Sequence, residues 1–390
     1  MATNVGNTQS AKLRMGVIGL GNIAGQHIDH IVAGLVPGCR VTALCSRTPT
    51  DQAETLGIPH YCDYRELIDS GHCDAVLVAT PTFSHAQVGS YALSAGLHVM
   101  MEKPIGLSVA EGEALLAQRS SDQVFALMLN QRTDPLFLTM RECLLAGEIG
   151  PVTRCSWTMT NWFRPEVYYQ MSDWRATWRG EGGGLLVNQC IHNLDIFQWL
   201  CGMPISVRAF CQFGRYHNIE VEDEATAYFE YANGANGVFI GSTGEAPGTN
   251  RLEIIGDQGS LVFDGELLTL SKNEPSTSEY SRKTRDMFGM PQTSRRDITP
   301  NRAVNQHALV LTNFVQAIRT GVELIAPAAE GLHSLSLANS MLLSTWENRE
   351  VELPLDHSAY QVQLDKHVAN SQLREKADIE VNVDMSQSYR

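Results

Sequence analysis

The sequence predicts an α/β protein whose first domain is a doubly wound parallel sheet, followed by an α+β domain on an open, mainly antiparallel sheet. Three observations point there. Up to about residue 130, short apolar runs alternate with helical stretches. A glycine-rich turn, Gly19-Leu20-Gly21, closes the first of those runs. Beyond it, strand-like segments follow one another through short turns, as in antiparallel sheets. The expected division is a polar leader at 1–12, a parallel-sheet domain at 13–131, an α+β domain at 132–355, and a C-terminal helix and tail at 356–390.

RMGVIG is a short apolar run suited to a buried parallel strand, and a helix follows from Asn22 to about Gly34. CRVTALCS, IPHYC and CDAVLVAT supply three more strands, with a helix from Asp63 to Asp69 before the last of them. Ser84 can cap a helix that closes at Gly96. LHVMME is the next strand, Ser108 with Glu111 forms a capping box, and QVFALMLN completes the series. Asp134-Pro135 then opens a helix that Gly147 stops. VTRCSWTMTN, SVRAFCQF, EATAYFEY, GVFIGST, NRLEIIG and SLVFD read as strands, interrupted by a helix from Gly184 to Cys201. Residues 275–300 are polar and read as a surface loop, two helices are expected near 303–319 and 328–346, and the tail at 374–390 reads as a polar arm or disorder.

At 390 residues the chain exceeds what one core usually serves, which fits two domains. A formal net charge of −14 argues against nucleic acid as a partner, since phosphate backbones attract basic faces. The nine cysteines show no CxxC spacing and mostly lie in apolar runs, as buried thiols of a reducing compartment do. The N-terminal residues are polar and no apolar run approaches membrane-spanning length, so a cytoplasmic protein is expected, with no membrane partner. His27 and His30 lie three apart but have no recognisable metal-ligand partners, and no metal site is expected. Glu222-Asp223-Glu224 reads as a solvated strand end.

Gly19, Gly21, Asn22 and Ile23 belong to a GxGxxA stretch between the first strand and the first helix. The first glycine allows the tight turn and the second lets a pyrophosphate reach the backbone. The helix N-terminus then offers free N–H groups, which is the Rossmann arrangement for NAD(P). The second strand ends in Ser46-Arg47-Thr48 where an acidic residue would hold the ribose 2′-hydroxyl of NAD; Ser46 and Arg47 suit a 2′-phosphate and favour NADP over NAD. Thr80, Pro81 and His85 fall at one strand end, and Glu102, Lys103 and Pro104 at the next.

The Glu-Lys-Pro motif after a Thr-Pro segment, with GxGxxA before it and a Gly-Gly-Gly…His segment after, resembles the Gfo/Idh/MocA family of sugar and inositol oxidoreductases over about residues 13–370. The resemblance implies that Lys103 is the catalytic lysine and that Glu102 serves the cofactor. A secondary alcohol gives up hydride readily only when its proton leaves too, so a positioned base is required. A free lysine, with a pKa of about 10.4, is a poor base at neutral pH unless burial or nearby positive charge lowers it. In GEGGGLLVNQCIHNLDIFQWL the resemblance makes His192 the second catalytic residue. Asn188, four residues earlier, stands where the family usually has aspartate; it can bind a substrate hydroxyl but cannot take a proton. Asp195 reads equally as a structural hydrogen-bonder. The segment with Trp162, Arg164, Tyr168, Trp174, Arg175 and Trp178 combines flat apolar faces with directed donors, as sugar sites do, and Asn130 and Arg132 correspond to the family's substrate side. The reading is therefore an NAD(P)-dependent oxidoreductase moving a hydride between nicotinamide and a ring alcohol or ketone of a sugar, glycoside or inositol, in a dimer or tetramer. Two other readings stand beside it: an NAD-dependent glycosidase working by transient oxidation and elimination, and a non-catalytic sugar-sensing regulator.

Overall fold

The computed structural model describes residues 12–372, so most of the expected leader and the polar tail at 374–390 lie outside the described residues. The first elements are β1 (Leu13–Ile18), α1 (Asn22–Val32), β2 (Cys39–Cys45), α2 (Asp51–Leu56), β3 (His60–Tyr61), α3 (Tyr64–Asp69), β4 (Ala75–Val78), α4 (His85–Ser94), β5 (His98–Met101), α5 (Val109–Leu116) and β6 (Phe125–Leu127). There follow α6 (Pro135–Leu145), β7 (Val152–Met159), α7 (Glu166–Gln170), α8 (Trp178–Glu181) and α9 (Ile191–Cys201). Then come β8 (Ser206–Phe213), β9 (Glu222–Glu230), β10 (Asn236–Ser242), β11 (Asn250–Gly256), β12 (Gly259–Phe263) and β13 (Leu268–Glu274). The chain closes with α10 (Thr277–Lys283), β14 (Gln292–Ile298), α11 (Gln306–Thr320), α12 (Gly331–Glu347), β15 (Val351–Glu352) and α13 (His357–Asn370).

The chain divides into two compact units: Met1–Ile105 with Ala114–Asn130 and Asn305–Ala329, and Gly106–Glu113 with Gln131–Val304 and Glu330–Arg390. The first unit holds a six-stranded parallel sheet in the order β3-β2-β1-β4-β5-β6. Its central strands are apolar nearly throughout, β4 along its whole length and β1 from Met15 onward, because both faces are covered. The order reverses between β1 and β4, the point where such sheets bind ligands at their carboxyl ends. The division departs from the sequence expectation at α11, which packs on α1 and β5 of this unit. Its Ala308, Val310, Leu311, Phe314 and Val315 join one core with Met15, Val17 and Ile28, and Leu127 N donates to Ala326 O at 3.0 Å beside it. An amphipathic helix announces an apolar stripe but not which core receives it.

The second unit is built on a nine-stranded sheet in the order β14-β13-β12-β11-β7-β10-β9-β8-β15. All neighbours are antiparallel except β7 and β10. Along β9, Ala225, Ala227 and Phe229 are buried while Thr226, Tyr228 and Glu230 are exposed, so one face is covered and the other is open in this chain. Residues 275–300 are not a loop. They carry α10 and β14, which pairs with β13 from Leu268↔Ile298 to Glu274↔Gln292. As an edge strand exposed over nearly its whole length, β14 has no core to impose alternation on its sequence. The helix expected from Gly184 to Cys201 begins only at Ile191, because the glycines have poor helix propensity and Glu222 captures the amides there.

A buried ion network fastens α9. Arg132 donates from Nε to Asp195 Oδ2 at 2.8 Å and from Nη2 to Asp195 Oδ1 at 2.7 Å, and also to Glu330. Both Arg132 and Asp195 are 1% exposed, so each charge depends on the other for solvation. Arg132→Met should therefore cost about 3–5 kcal/mol, read as a fall in urea midpoint. Arg132→Met with Asp195→Leu should recover part of that loss; a single variant as stable as the parent would disprove the dependence.

Candidate active site

In the first unit the cofactor-side residues gather at the carboxyl ends of β1, β4 and β5. Gly19 has φ 89°, and a Cβ there would lie 2.6 Å from Ala79 O, so this turn admits only glycine. A Cβ on Gly21 would meet nothing within 4 Å, and Gly21 and Asn22 are exposed at the N-terminus of α1. The amides of this helix start therefore face open space, as a pyrophosphate site needs, and the residues present fit the dinucleotide. Ile23 is half-buried beside them. At the end of β2, Ser46 Oγ donates to Thr48 O at 2.6 Å and lies 2.9 Å from His60 Nε2, whereas Arg47 is exposed.

Thr80 and Pro81 are half-buried after β4, and Thr80 Oγ1 accepts from Ser84 Oγ at 2.8 Å. His85 was expected to touch the cofactor, but it is 1% exposed. Its ring nitrogens lie 2.8 Å from Thr80 O and 2.8 Å from Pro104 O. It joins the two strand-end loops from behind, and burial pushes its pKa down although both carbonyls act the other way. Glu102 is also turned inward. Its Oε1 accepts from His27 Nε2 at 2.7 Å, and its Oε2 accepts from Lys103 N at 3.3 Å. Burial pushes this carboxyl up, but the His27 hydrogen bond, together with the electrostatic influence of His27, His307 and Lys103, outweighs it and holds it at about 2. His307, on α11, lies edge-on to His27 with ring centroids 5.4 Å apart, and burial lowers it to about 4. Between Val99 and Gly106 every residue is buried except Lys103.

The second unit repeats this pattern. From Gly180 to Gln198 every residue is buried except Asn188 and His192. The loop before α9 is folded by carboxylates: Gly184 N donates to both oxygens of Glu222, at 3.0 and 2.9 Å, and Leu186 N to Oε1 at 2.9 Å. Glu222 and Asp223 are 0% exposed, which overturns the expected solvated strand end. Burial pushes Glu222 up to about 7 against those three bonds, and nearby Glu181 adds to the rise. Glu181 accepts from Asn188 Nδ2 and, at 2.6 Å, from Ala176 N.

Around this loop the predicted aromatic residues form an alternating stack. The Arg164 guanidinium lies 5.0 Å from Trp162 and 5.2 Å from Tyr168; that of Arg175 lies 4.5 Å from Tyr168 and 5.0 Å from Trp174. Arg175 Nη1 donates to Tyr168 Oη at 2.6 Å. Trp162 Nε1 donates to Asn193 Oδ1 at 3.1 Å, which turns this indole into the interior. Three of the expected substrate-side residues have other partners. Arg132 is spent on Asp195 and Glu330, so it holds the fold, and Asn130 Nδ2 donates to Gln306 Oε1 at 2.8 Å within the first unit. Trp178 packs on Trp346 and His367 in the core. Sequence reasoning missed Glu181, Glu222, His27 and His307. For Glu181 the available signal was an acidic residue set directly against three glycines; for His27, a polar residue on the buried stripe of α1.

The model for the oxidoreductase family with an NAD-binding Rossmann fold matches residues 13–130, and that for the GFO/IDH/MocA C-terminal domain matches residues 137–262. The chain belongs to the GFO/IDH/MocA family. Inositol 2-dehydrogenase of Rhizobium meliloti is 26% identical over 357 residues, 87% of this chain and 99% of that protein. The scyllo-inositol 2-dehydrogenase (NADP(+)) IolW of Bacillus subtilis is 26% identical over 305 residues, 75% of this chain and 82% of that protein. Among solved structures, the WlbA dehydrogenase of C. violaceum in complex with NADH and UDP-GlcNAcA is 25% identical, with a TM-score of 0.76 over 89% of this chain and 98% of that one.

In this family member buried His307 and Glu102 should make stability depend on pH. The folded value of His307, about 4 against an ordinary 6.5, lets the unfolded chain take up a proton first. The contribution of its neutral ring is complete above about 6.5 and is lost as pH falls toward 4. Glu102, at about 2 against 4.5, adds a further loss below 4.5. The urea midpoint should therefore fall between pH 7 and 4.5, and His307→Gln should remove up to about one proton of that slope. An identical slope in the variant would show that the ring is not held neutral.

Proposed function

We propose that the protein is an NAD(P)-dependent dehydrogenase, or the corresponding reductase, acting on a ring secondary alcohol or ketone of a sugar or inositol. The observation that carries this reading is the accessibility pattern. In two otherwise buried segments, the side chains left reachable are Lys103, Asn188 and His192. Such isolated polar groups on rigid, packed elements suit proton transfer and hydroxyl binding. The family supports the same chemistry, and the named relatives act on inositols. Gly19, Gly21, Asn22, Ile23, Thr80 and Pro81 would hold the dinucleotide, which when bound supplies a hydride acceptor or donor.

In this reading Lys103 Nζ takes the proton of the reacting hydroxyl, so that no charge builds on oxygen as the C–H bond breaks. His192 donates to that oxygen, and Asn188 binds a hydroxyl of the substrate. Glu102 keeps to a positioning role, because its two oxygens already accept from His27 and from Lys103 N. Tyr168 and Trp174, stacked with Arg164 and Arg175, offer the flat faces and donors that a sugar ring requires. The open sheet face of the second unit suits a homo-oligomer, a dimer or tetramer. Among the described residues no helix is long and apolar enough to cross a membrane, in keeping with a cytoplasmic enzyme.

A panel of sugars, glycosides and inositols, followed by nicotinamide absorbance with each cofactor, tests the reading. At least one member should be oxidised. Lys103→Met and His192→Ala should each lower kcat by about 100-fold or more with cofactor affinity little changed. Normal turnover in both variants would refute the assigned roles. Exposed Arg47 supports a preference for NADP, since Ser46 is already engaged with Thr48 and His60. Arg47→Ala should weaken NADP about tenfold more than NAD; equal losses in a titration with both cofactors would remove that preference.

A further inference from the structure

Asn188 does not stand alone on its loop. Its Nδ2 donates to Glu181 Oε1, and Glu181 is 3% exposed. The other oxygen of Glu181 accepts from Ala176 N at 2.6 Å, and Arg175 Nη1 lies 3.9 Å from Oε1. Ala176 is fully buried with φ 55°, a left-handed backbone that a non-glycine residue keeps only when its surroundings impose it. The bond from Ala176 N is part of that constraint. Glu181 is itself fixed in place, on a turn of helix capped by Thr177 Oγ1 and closed by Gly182 at φ 70°.

A carboxylate only accepts hydrogen bonds, so it discriminates between the two ends of an amide. The NH₂ end of Asn188 faces Glu181. Turning the amide over would set its carbonyl against a carboxylate oxygen, acceptor against acceptor. We propose that Glu181 is a positioning residue that locks the Asn188 amide with its carbonyl oxygen on the substrate side, so that the site selects a substrate whose hydroxyl donates a hydrogen bond at this point. This rests on the dehydrogenase reading and adds what kind of group the site recognises. A fluoro or O-methyl substituent at the matching carbon has no proton to give and is rejected. The locked orientation also explains why an amide is suited to position 188 here: an aspartate would bring a second carboxylate against Glu181.

The test uses the full-length protein and the substrate found in the panel. Glu181→Gln frees the amide to turn and should raise KM roughly tenfold, with kcat changed less. Asn188→Asp should cost more, because it opposes two carboxylates. The exchange Glu181→Gln/Asn188→Asp restores a donor facing an acceptor and should recover kcat/KM to within about threefold of the parent, far above the product of the single losses. On the unaltered protein, replacing one non-reacting hydroxyl of the substrate by fluorine or O-methyl should cost more than about tenfold in kcat/KM, a measurement that holds even if Glu181→Gln fails to fold. If the parent oxidises no member of the panel, the dehydrogenase reading falls and this inference with it. If the parent is active but Glu181→Gln leaves KM unchanged, the exchange shows no recovery, or every analogue is accepted within about threefold, the inference alone is overturned.

Discussion

The buried bond between Glu102 and His27 is the constraint on which the cofactor side of this protein depends. A carboxylate at the end of a parallel strand, 8% exposed, carries a desolvation cost that an apolar neighbour cannot offset. His27, on the inner face of α1, offsets it with a bond of 2.7 Å. That bond ties the helix following the Gly19–Gly21 turn to the strand end that carries Lys103. The second oxygen of Glu102 takes the Lys103 amide, so the same carboxylate orients the backbone from which the reachable lysine extends. His307 and His30 line the same interior, His30 bonded to Asn305 at 2.9 Å, and α11 is thereby drawn into the nucleotide-binding unit. A single buried charge thus sets the relative placement of a helix start, a strand end and a helix that returns from far along the chain.

The second unit meets a related problem with the same kind of group. Three consecutive glycines leave the loop before α9 with amides that no helix satisfies. Glu222 supplies acceptors for Gly184 and Leu186, while Glu181 supplies them for Ala176 and Asn188. Buried carboxylates here replace the missing turns of helix. Their cost is visible in the rise of Glu222, and the benefit is a loop rigid enough to hold Asn188 and His192 as its two reachable polar positions.

Much of this was legible in the sequence where a local rule applies. Alternating apolar runs and helices marked the parallel sheet because strands buried on both faces need continuous apolar sequence. Gly19 was legible because only glycine fits its turn, while the roles proposed for Lys103 and His192 rest on the motifs that surround them. The misreadings share a cause. Glu222 and Asp223 look solvated as a run of charges, yet Glu222 is taken up by a glycine loop nearly forty residues earlier in the chain and Asp223 by the amides of Arg215, Tyr216 and His217. Arg132 looks like a substrate ligand until Asp195 and Glu330, both distant in sequence, claim its donors. β14 has no apolar rhythm because no core lies beneath it. Pairings between distant polar residues leave no periodic trace, so composition and spacing do not reveal them.

The two reachable clusters also show why buried polar partners matter more to such a site than the reachable residues taken singly. A lysine or asparagine on a mobile surface loses side-chain entropy each time it engages a ligand. For Asn188 part of that cost is met during folding, whereas at Lys103 it is the backbone that is fixed. Lys103 N is held by Glu102, and the Asn188 amide is held by Glu181. Both holders are acidic, more than nine-tenths buried, and bonded to a second group that fixes them in turn, His27 in one case and the Ala176 amide in the other. An apolar residue in either place would fill the volume but set no direction, because dispersion contacts do not distinguish the two ends of an amide. Directional acceptors do. In the proposed site the direction of the Asn188 amide is therefore set one residue further in, by an acid that is itself buried.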